Sequence, residues 1–358
     1  MGGTAPLTLV HNRPVVTLDD GGRAVVDTAG AAILLSQDHA DALDLTVVET
    51  VEEQGEVFTV LEAPALSVGG YELDTDGLPA YGFEDTRALG LAASGLDLLL
   101  PATLLQRHAV VLDGVAGSAW FGDAGTLRGE GVRLRAEVAV DTGLVTLDVG
   151  VHGGVLSMLL DTGVSCSLAA ARMCEAWTTG WPDLPTSAAC VGPGNMAGLR
   201  VEARTPMIRV SEVEVGGFTV PGVAFVWRGN ADIAPFDGTL GGNVLRYFKL
   251  GLDLARGDVW VEQRAAAVAG GDADQVGVTL VLDDDAQWEI AAAVVGLREA
   301  GIEVGDRLES VDGQPVAGVV LPDVLGLLAG EPGVLRHLVL RRVDGALVEA
   351  DAPCVRVL

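Results

Sequence analysis

LSMLLDTGVSCSLAA, residues 156–170, sends an apolar run directly into an aspartate. Between Leu156 and Leu160 only Ser157 is polar, and Thr162 and Gly163 follow Asp161. A carboxylate delivered by a buried strand costs free energy unless it is paired or used. The first thing to look for in the chain is therefore a partner for Asp161.

Internal repetition supplies one. RPVVTLDDGGRAVVDTAGAAILL (13–35) is echoed by GLVTLDVGVHGGVLSMLLDTGVSCSL (143–168). Both read as strand, Gly-containing turn, strand, then Asp-Thr and a small residue, with VTLD shared at Val16–Asp19 and Val145–Asp148. A helix-like run follows each, SQDHADALDL in one and AAARMCEAW in the other. Next come LSVGGYEL (66–73) and VEVGGFTV (213–220), hairpin signals with Gly-Gly at the turn. Last, SGLDLLLPATLLQRHAVVLDGVAGSAWF (94–121) answers DGTLGGNVLRYFKLGLDLARGDVWV (237–261), each closing on a Trp-bearing strand. Four correspondences in one order predict a duplicated β-rich unit, residues 1–125 and 126–264, and they match Asp27 to Asp161. A second Asp-Thr-Gly sequence, Asp141 to Gly143, precedes its VTLD strand instead of following it, and is expected to close a turn.

Composition narrows the function. The formal charge is −28, with one lysine, Lys249, among 22 basic residues. Such a surface repels phosphate backbones, so nucleic acid is not an expected partner. No apolar run approaches the roughly 18 residues of a membrane span. The opening MGGTAPLTLVHNRP lacks a basic segment followed by an apolar one, so no secretory signal is expected in these residues. The compartment stays open, with export to the cell envelope favoured if the N-terminus is trimmed. Cys166, Cys174, Cys190 and Cys354 show no CxxC pairing, so no metal or other cofactor is expected. The first three lie close enough in sequence to form one disulfide after export. The five histidines fit no Ser/His/Asp spacing, Ser165 is not in a GxSxG elbow, and there is no HExxH or phosphate loop.

Two carboxyl groups about 3 Å apart cannot both ionise easily and share a proton over a broad acidic range. The ionised member can deprotonate a water while the protonated one donates to a carbonyl oxygen, which is general acid–base hydrolysis of an amide. LLDTGVS (159–165) together with DGTLGGNVL (237–245) resembles a lobe of the retropepsin/pepsin aspartic peptidases. The resemblance implies catalytic roles for Asp27 and Asp161. It implies a bracing segment at Thr239-Leu240-Gly241, the psi structure of that family, and a hydrogen bond from Thr162 to the other lobe. Thr28, Ala29, Thr162 and Gly163 would support the dyad. The first lobe departs from the pattern: Ala29 stands where glycine is usual, and the counterpart of Leu240-Gly241 in SGLDLLLP is looser. Flap candidates are TVEEQGEVF (50–58) and CVGPGNMAGLRV (190–201), the latter with Gly192, Pro193, Gly194 and Asn195. Neither holds a tyrosine, which tilts the resemblance towards retropepsins.

AAAVAGGDAD (265–274) reads as a linker. Residues 275–358 then resemble a PDZ domain of the bacterial type, on LREAGIEVGDRLESVDGQPV (297–316) with turns at Gly301, Gly305-Asp306 and Asp312-Gly313. A short helix is expected after EIAAAVV, an amphipathic helix at LPDVLGLLAG, and a closing hairpin across Asp344-Gly345. PDZ domains take extended peptides on a sheet edge, here near QVGVTLVL or WEIAAAV.

The fold expected is therefore mainly β: two pseudo-twofold-related acid-protease-like β-barrel lobes followed by a small α+β PDZ domain. The function expected is an aspartic endopeptidase, acting on a peptide or protein substrate as a monomer, with a PDZ-docked peptide as second partner. The alternative is a peptide-binding scaffold that keeps the fold without cleaving, and it rests on Ala29.

Overall fold

Alternating apolar and polar residues in GGTAPLTLV give the strand Gly2–Val10, which buries Gly3, Ala5 and Leu7 on one face. The computed structural model describes residues 2–53, 56–83, 91–127, 129–187, 192–193, 195–196, 199–200, 206–229, 235–264, 275–283, 285–294 and 296–355. The expected linker 265–274, Gly194 and Cys190 lie outside the described residues. The protein is mainly β.

Strand Gly2–Val10 joins two parts of one large sheet. Its first half pairs with Ser118–Asp123 and its second half with Arg13–Thr17. On one side the sheet continues through His108–Asp113 to Phe248–Asp253 and Asp258–Gln263. Strands distant in sequence, from before residue 125 and after residue 245, thus lie edge to edge. On the other side it runs through Arg23–Val26, Leu98–Leu100, Ile33–Ser36, Ala80–Phe83 and Glu56–Leu61 to Val47–Glu53.

A second sheet closes on itself. Val145–Val151, Gly154–Leu160, Gly238–Leu240, Ser167–Ala170, Phe218–Arg228 and Met207–Val215 pair in that order, and Gly150–Val151 then pairs back to Val213–Glu214. Closure removes the exposed edges that an open sheet would present. Its interior holds Leu147, Met158, Leu160, Val210 and Phe225.

Both Gly-Gly hairpins form where expected. Gly69 and Gly70 have φ of +57° and +76°, Gly216 and Gly217 of +60° and +82°, the left-handed region that two-residue hairpin turns need. Asp19 accepts from the amides of both Gly69 and Gly70 at 2.8 Å. Helix Gln37–Ala42 is capped by Ser36, whose hydroxyl accepts from the His39 amide, and Ala171–Gly180 follows Asp161-Thr162.

A third sheet, Val278–Leu282, Trp288–Ala293, Arg307–Val311, Leu335–Arg341, Leu347–Val355 and Gln275–Val276, packs with helix Leu321–Leu328 around Trp288, Ile290, Val311, Val324 and Leu338. The Trp288 indole donates to the Val319 carbonyl at 2.9 Å. The short helix expected after EIAAAVV is instead a run of turns. Gly296 has φ +101°, and the amides of Glu299, Ala300 and Gly301 each bond to the carbonyl three residues back.

Candidate active site

The two strands that deliver the aspartates are braced alike. Leu98–Leu100 runs parallel to Arg23–Val26, and Gly238–Leu240 parallel to Gly154–Leu160. Each bracing strand also pairs antiparallel with the strand after the aspartate, Ile33–Ser36 or Ser167–Ala170. The Asp27 amide donates to Leu100 at 2.9 Å and the Asp161 amide to Leu240 at 3.1 Å. Leu99-Leu100-Pro101 thus occupies the place that Thr239-Leu240-Gly241 holds, and short helices start at Ala102 and Gly242. Asn243, buried, locks the second brace: its side-chain oxygen accepts from both the amide and the hydroxyl of Ser167 at 2.8 Å.

The threonines hold the two halves of the site together. The Thr28 amide donates to the Thr162 hydroxyl at 3.1 Å, and the Thr162 amide to the Thr28 hydroxyl at 3.0 Å. Each hydroxyl then donates onward across the join, Thr28 to the Leu160 carbonyl at 2.8 Å and Thr162 to the Val26 carbonyl at 2.5 Å. All these groups are buried, so the bonds are shielded from competing water.

This lattice brings Asp27 and Asp161 together, 5% and 7% exposed, with a hydrogen bond between their carboxyl groups. Asp27 Oδ1 accepts from the amides of Ala29 at 2.8 Å and Gly30 at 3.0 Å, and Asp161 Oδ1 from Gly163 at 2.9 Å. Burial pushes both carboxyls above the usual aspartate range. Asp161 is pushed well above it, because the charge of Asp27 adds to the burial. Such a pair holds one proton and one charge, the arrangement needed for concerted acid and base chemistry.

Gly163 and Ala29 differ in an instructive way. A Cβ on Gly163 would lie 2.3 Å from Asp27 Cγ, so no side chain fits there. Ala29 is half-buried, its φ is not left-handed, and its amide reaches Asp27 as the Gly163 amide reaches Asp161. The backbone contact made at position 29 does not require glycine.

The hairpin of Val47–Glu53 and Glu56–Leu61 forms, with Phe58 packed on Phe83 and edge-on to Tyr81. Of the other flap candidates, Gly192 and Pro193 run parallel to Thr279 and Leu280 in the third sheet, and Asn195 pairs with Arg200. Strand Val278–Leu282 therefore carries a neighbour on both sides. Asp141 lies exposed in a turn. Among the described residues no disulfide joins Cys166, Cys174 and Cys354 to one another, and burial pushes the Cys174 thiol up to about 12. Among the described residues no cluster of three or more histidine, cysteine or acidic side chains could hold a metal, and no helix is long and apolar enough to cross a membrane.

Sequence reasoning missed the tip of the first hairpin. His11 and Asn12 take left-handed φ of 49° and 63°. Asn12 donates to the Ser165 carbonyl at 3.3 Å and accepts from Arg246 at 3.3 Å. A polar His-Asn pair between two apolar strands is a turn signal, but its long-range contact has no local signature. Arg13, buried beside the dyad, was missed as well.

Comparison with known proteins adds two findings. Residues 297–342 match the PDZ domain family. Among solved structures, the chain is similar to the aspartic proteinase from Irpex lacteus at 12% identity and a TM-score of 0.46, covering 76% of this chain and 100% of that one. No curated protein sequence matches this chain.

Proposed function

We propose that the chain is an aspartic endopeptidase with a peptide-docking PDZ domain at its C-terminal end. The observation that carries this reading is the hydrogen-bonded pair Asp27–Asp161, buried between two braced strands and locked by reciprocal threonine bonds. One carboxylate takes a proton from a water as its oxygen adds to the scissile carbonyl, and the other carboxyl donates its proton to the carbonyl oxygen. Collapse returns that proton and passes the first one to the leaving amine, so the dyad ends as it began. No covalent intermediate is required.

Both aspartates come from one chain, so catalysis needs no second copy. In this reading residues 1–125 and 126–264 are the two peptidase lobes, and 275–358 forms the PDZ domain. The domain docks an extended peptide and raises the local concentration of substrate. The test is digestion of a peptide library between about pH 3 and 7. Wild-type protein cleaves and a pepstatin-like inhibitor blocks it, while Asp161→Asn abolishes cleavage and leaves PDZ-dependent peptide binding intact. A folded wild-type protein that binds peptides and cuts none would instead be a scaffold.

A further inference from the structure

We propose that Arg13 is a positioning residue that makes the dyad asymmetric, holding Asp27 as the carboxylate and leaving the shared proton on Asp161. The catalytic consequence rests on the peptidase reading; the placement of the proton does not.

The argument starts from strand register. Strand Arg13–Thr17 pairs antiparallel with Arg23–Val26 through Val15↔Val25, Val16↔Ala24 and Thr17↔Arg23. Continued two residues, that register sets Arg13 across from Asp27, where cross-strand neighbours share a face. In the second sheet Thr146 pairs with Leu159, and the same continuation sets Leu144 across from Asp161. One aspartate faces a cation and the other an aliphatic side chain.

The cation is costly where it sits. Arg13 is 2% exposed, and burial lowers its pKa to about 10. Its Nη2 donates to the Ser94 hydroxyl at 2.5 Å and its Nε to the Val10 carbonyl at 3.5 Å, both neutral acceptors. Its Nη1 is buried with no hydrogen-bond partner among the described residues. A buried guanidinium needs negative charge nearby, and the carboxylate that acts on it is that of Asp27. The other charged or titratable groups nearby do not compensate it. His11, at the turn before it, is held neutral by burial with its pKa lowered to about 3, and Arg246 is turned to Asn12. Asp161 is the second acid of the pair. The backbone does not separate the two acids, because Asp27 accepts the Ala29 and Gly30 amides and Asp161 the Gly163 and Val164 amides. Asp27 is then the base that takes the proton from water, and Asp161 the acid that gives one to the carbonyl.

Carbon-13 NMR of aspartate carboxyls in the resting full-length chain, assigned with Asp27→Asn and Asp161→Asn, reads the placement directly. In mildly acidic solution Asp27 shows the carboxylate shift and Asp161 the carboxylic acid shift. Arg13→Met raises the Asp27 titration measurably, and the acid limb of kcat/KM moves up with it. Arg13→Lys, which keeps the charge, restores both. A protonated Asp27 in the wild-type protein overturns the proposal even if Arg13→Met does not fold. So does a folded Arg13→Met with both titrations unmoved. If the carboxyl shifts are as stated and no peptide is cut, the peptidase reading falls and the role of Arg13 stands.

Discussion

Thr28 and Thr162 are bonded to each other twice, the amide of each donating to the hydroxyl of the other at 3.1 and 3.0 Å. Residues separated by 134 positions therefore form one buried unit immediately beside the two aspartates. The bonds hold Asp27 against Asp161.

Replacing either threonine by valine keeps the shape and orphans one buried amide and one carbonyl. Thr28→Val and Thr162→Val should each cost about 1–3 kcal/mol. The double variant should cost close to the sum, because each hydroxyl makes its own pair of bonds and the two share only a 3.4 Å hydroxyl–hydroxyl contact. Urea unfolding of the four proteins checks this, and the serine variants should recover most of the loss.

Gly163 and Ala29 should respond oppositely to substitution. Gly163→Ala places a methyl 2.3 Å from Asp27 Cγ, so the carboxyl group must move and the dyad separates. It should destabilise the protein and lower kcat by at least about 100-fold, since displacing a reacting group by about 1 Å has that effect. Ala29→Gly keeps the amide bond to Asp27 and should leave kcat within a few-fold. Parallel kinetic and thermal-melt measurements separate the two positions.

The buried dyad gives stability a definite pH dependence. Both carboxyls have pKa values raised above those of the unfolded chain. As pH rises past about 4, the unfolded state loses these protons first, so stability falls until the folded pKa values are passed. Asp161→Asn removes the larger part of this penalty. Its Tm should exceed that of wild type at neutral pH, and the gap should narrow towards about pH 4. Melts across that range, at fixed ionic strength, measure it.

The third sheet has its own charge pair, between buried Asp306 and partly buried Arg342. Asp306, 1% exposed, accepts from Arg342 at 2.6 Å and from the Glu303 amide at 2.8 Å. Asp306→Ala leaves the Arg342 charge without its closest partner and should cost about 3 kcal/mol. Hydrogen exchange should place the loss in residues 275–355, with the Thr28 and Thr162 amides still protected.

Much of this was legible in the chain because its signals are local. Apolar strands ending in Asp-Thr, Gly-Gly hairpins at 69–70 and 216–217, and the Gly305-Asp306 and Asp312-Gly313 turns are each set by neighbours in sequence. Other features depend on pairing at a distance. Leu98–Leu100 looked a loose counterpart of Gly238–Leu240, because Pro101 replaces Gly241. Its bracing role comes from pairing on both sides, which a glycine-based pattern does not register. The shared VTLD is another case. Counted back from each aspartate along the ladders, Thr146 stands where Val15 does, two residues from the match at Thr17. An even slip keeps the same side chains facing inward, so the letters align while the register shifts. Asn12 and Arg13 escaped for the same reason, since their partners Ser165 and Asp27 are defined only once the sheets have formed.

The central claim is that Asp27 and Asp161 act as one catalytic pair. Peptide-library cleavage by wild type, Asp27→Asn and Asp161→Asn, measured side by side between about pH 3 and 7, tests it most directly. The account predicts cleavage by wild type alone, with both variants folded and reduced to background. Cleavage surviving in either folded variant, or none by a folded wild-type protein, would contradict it.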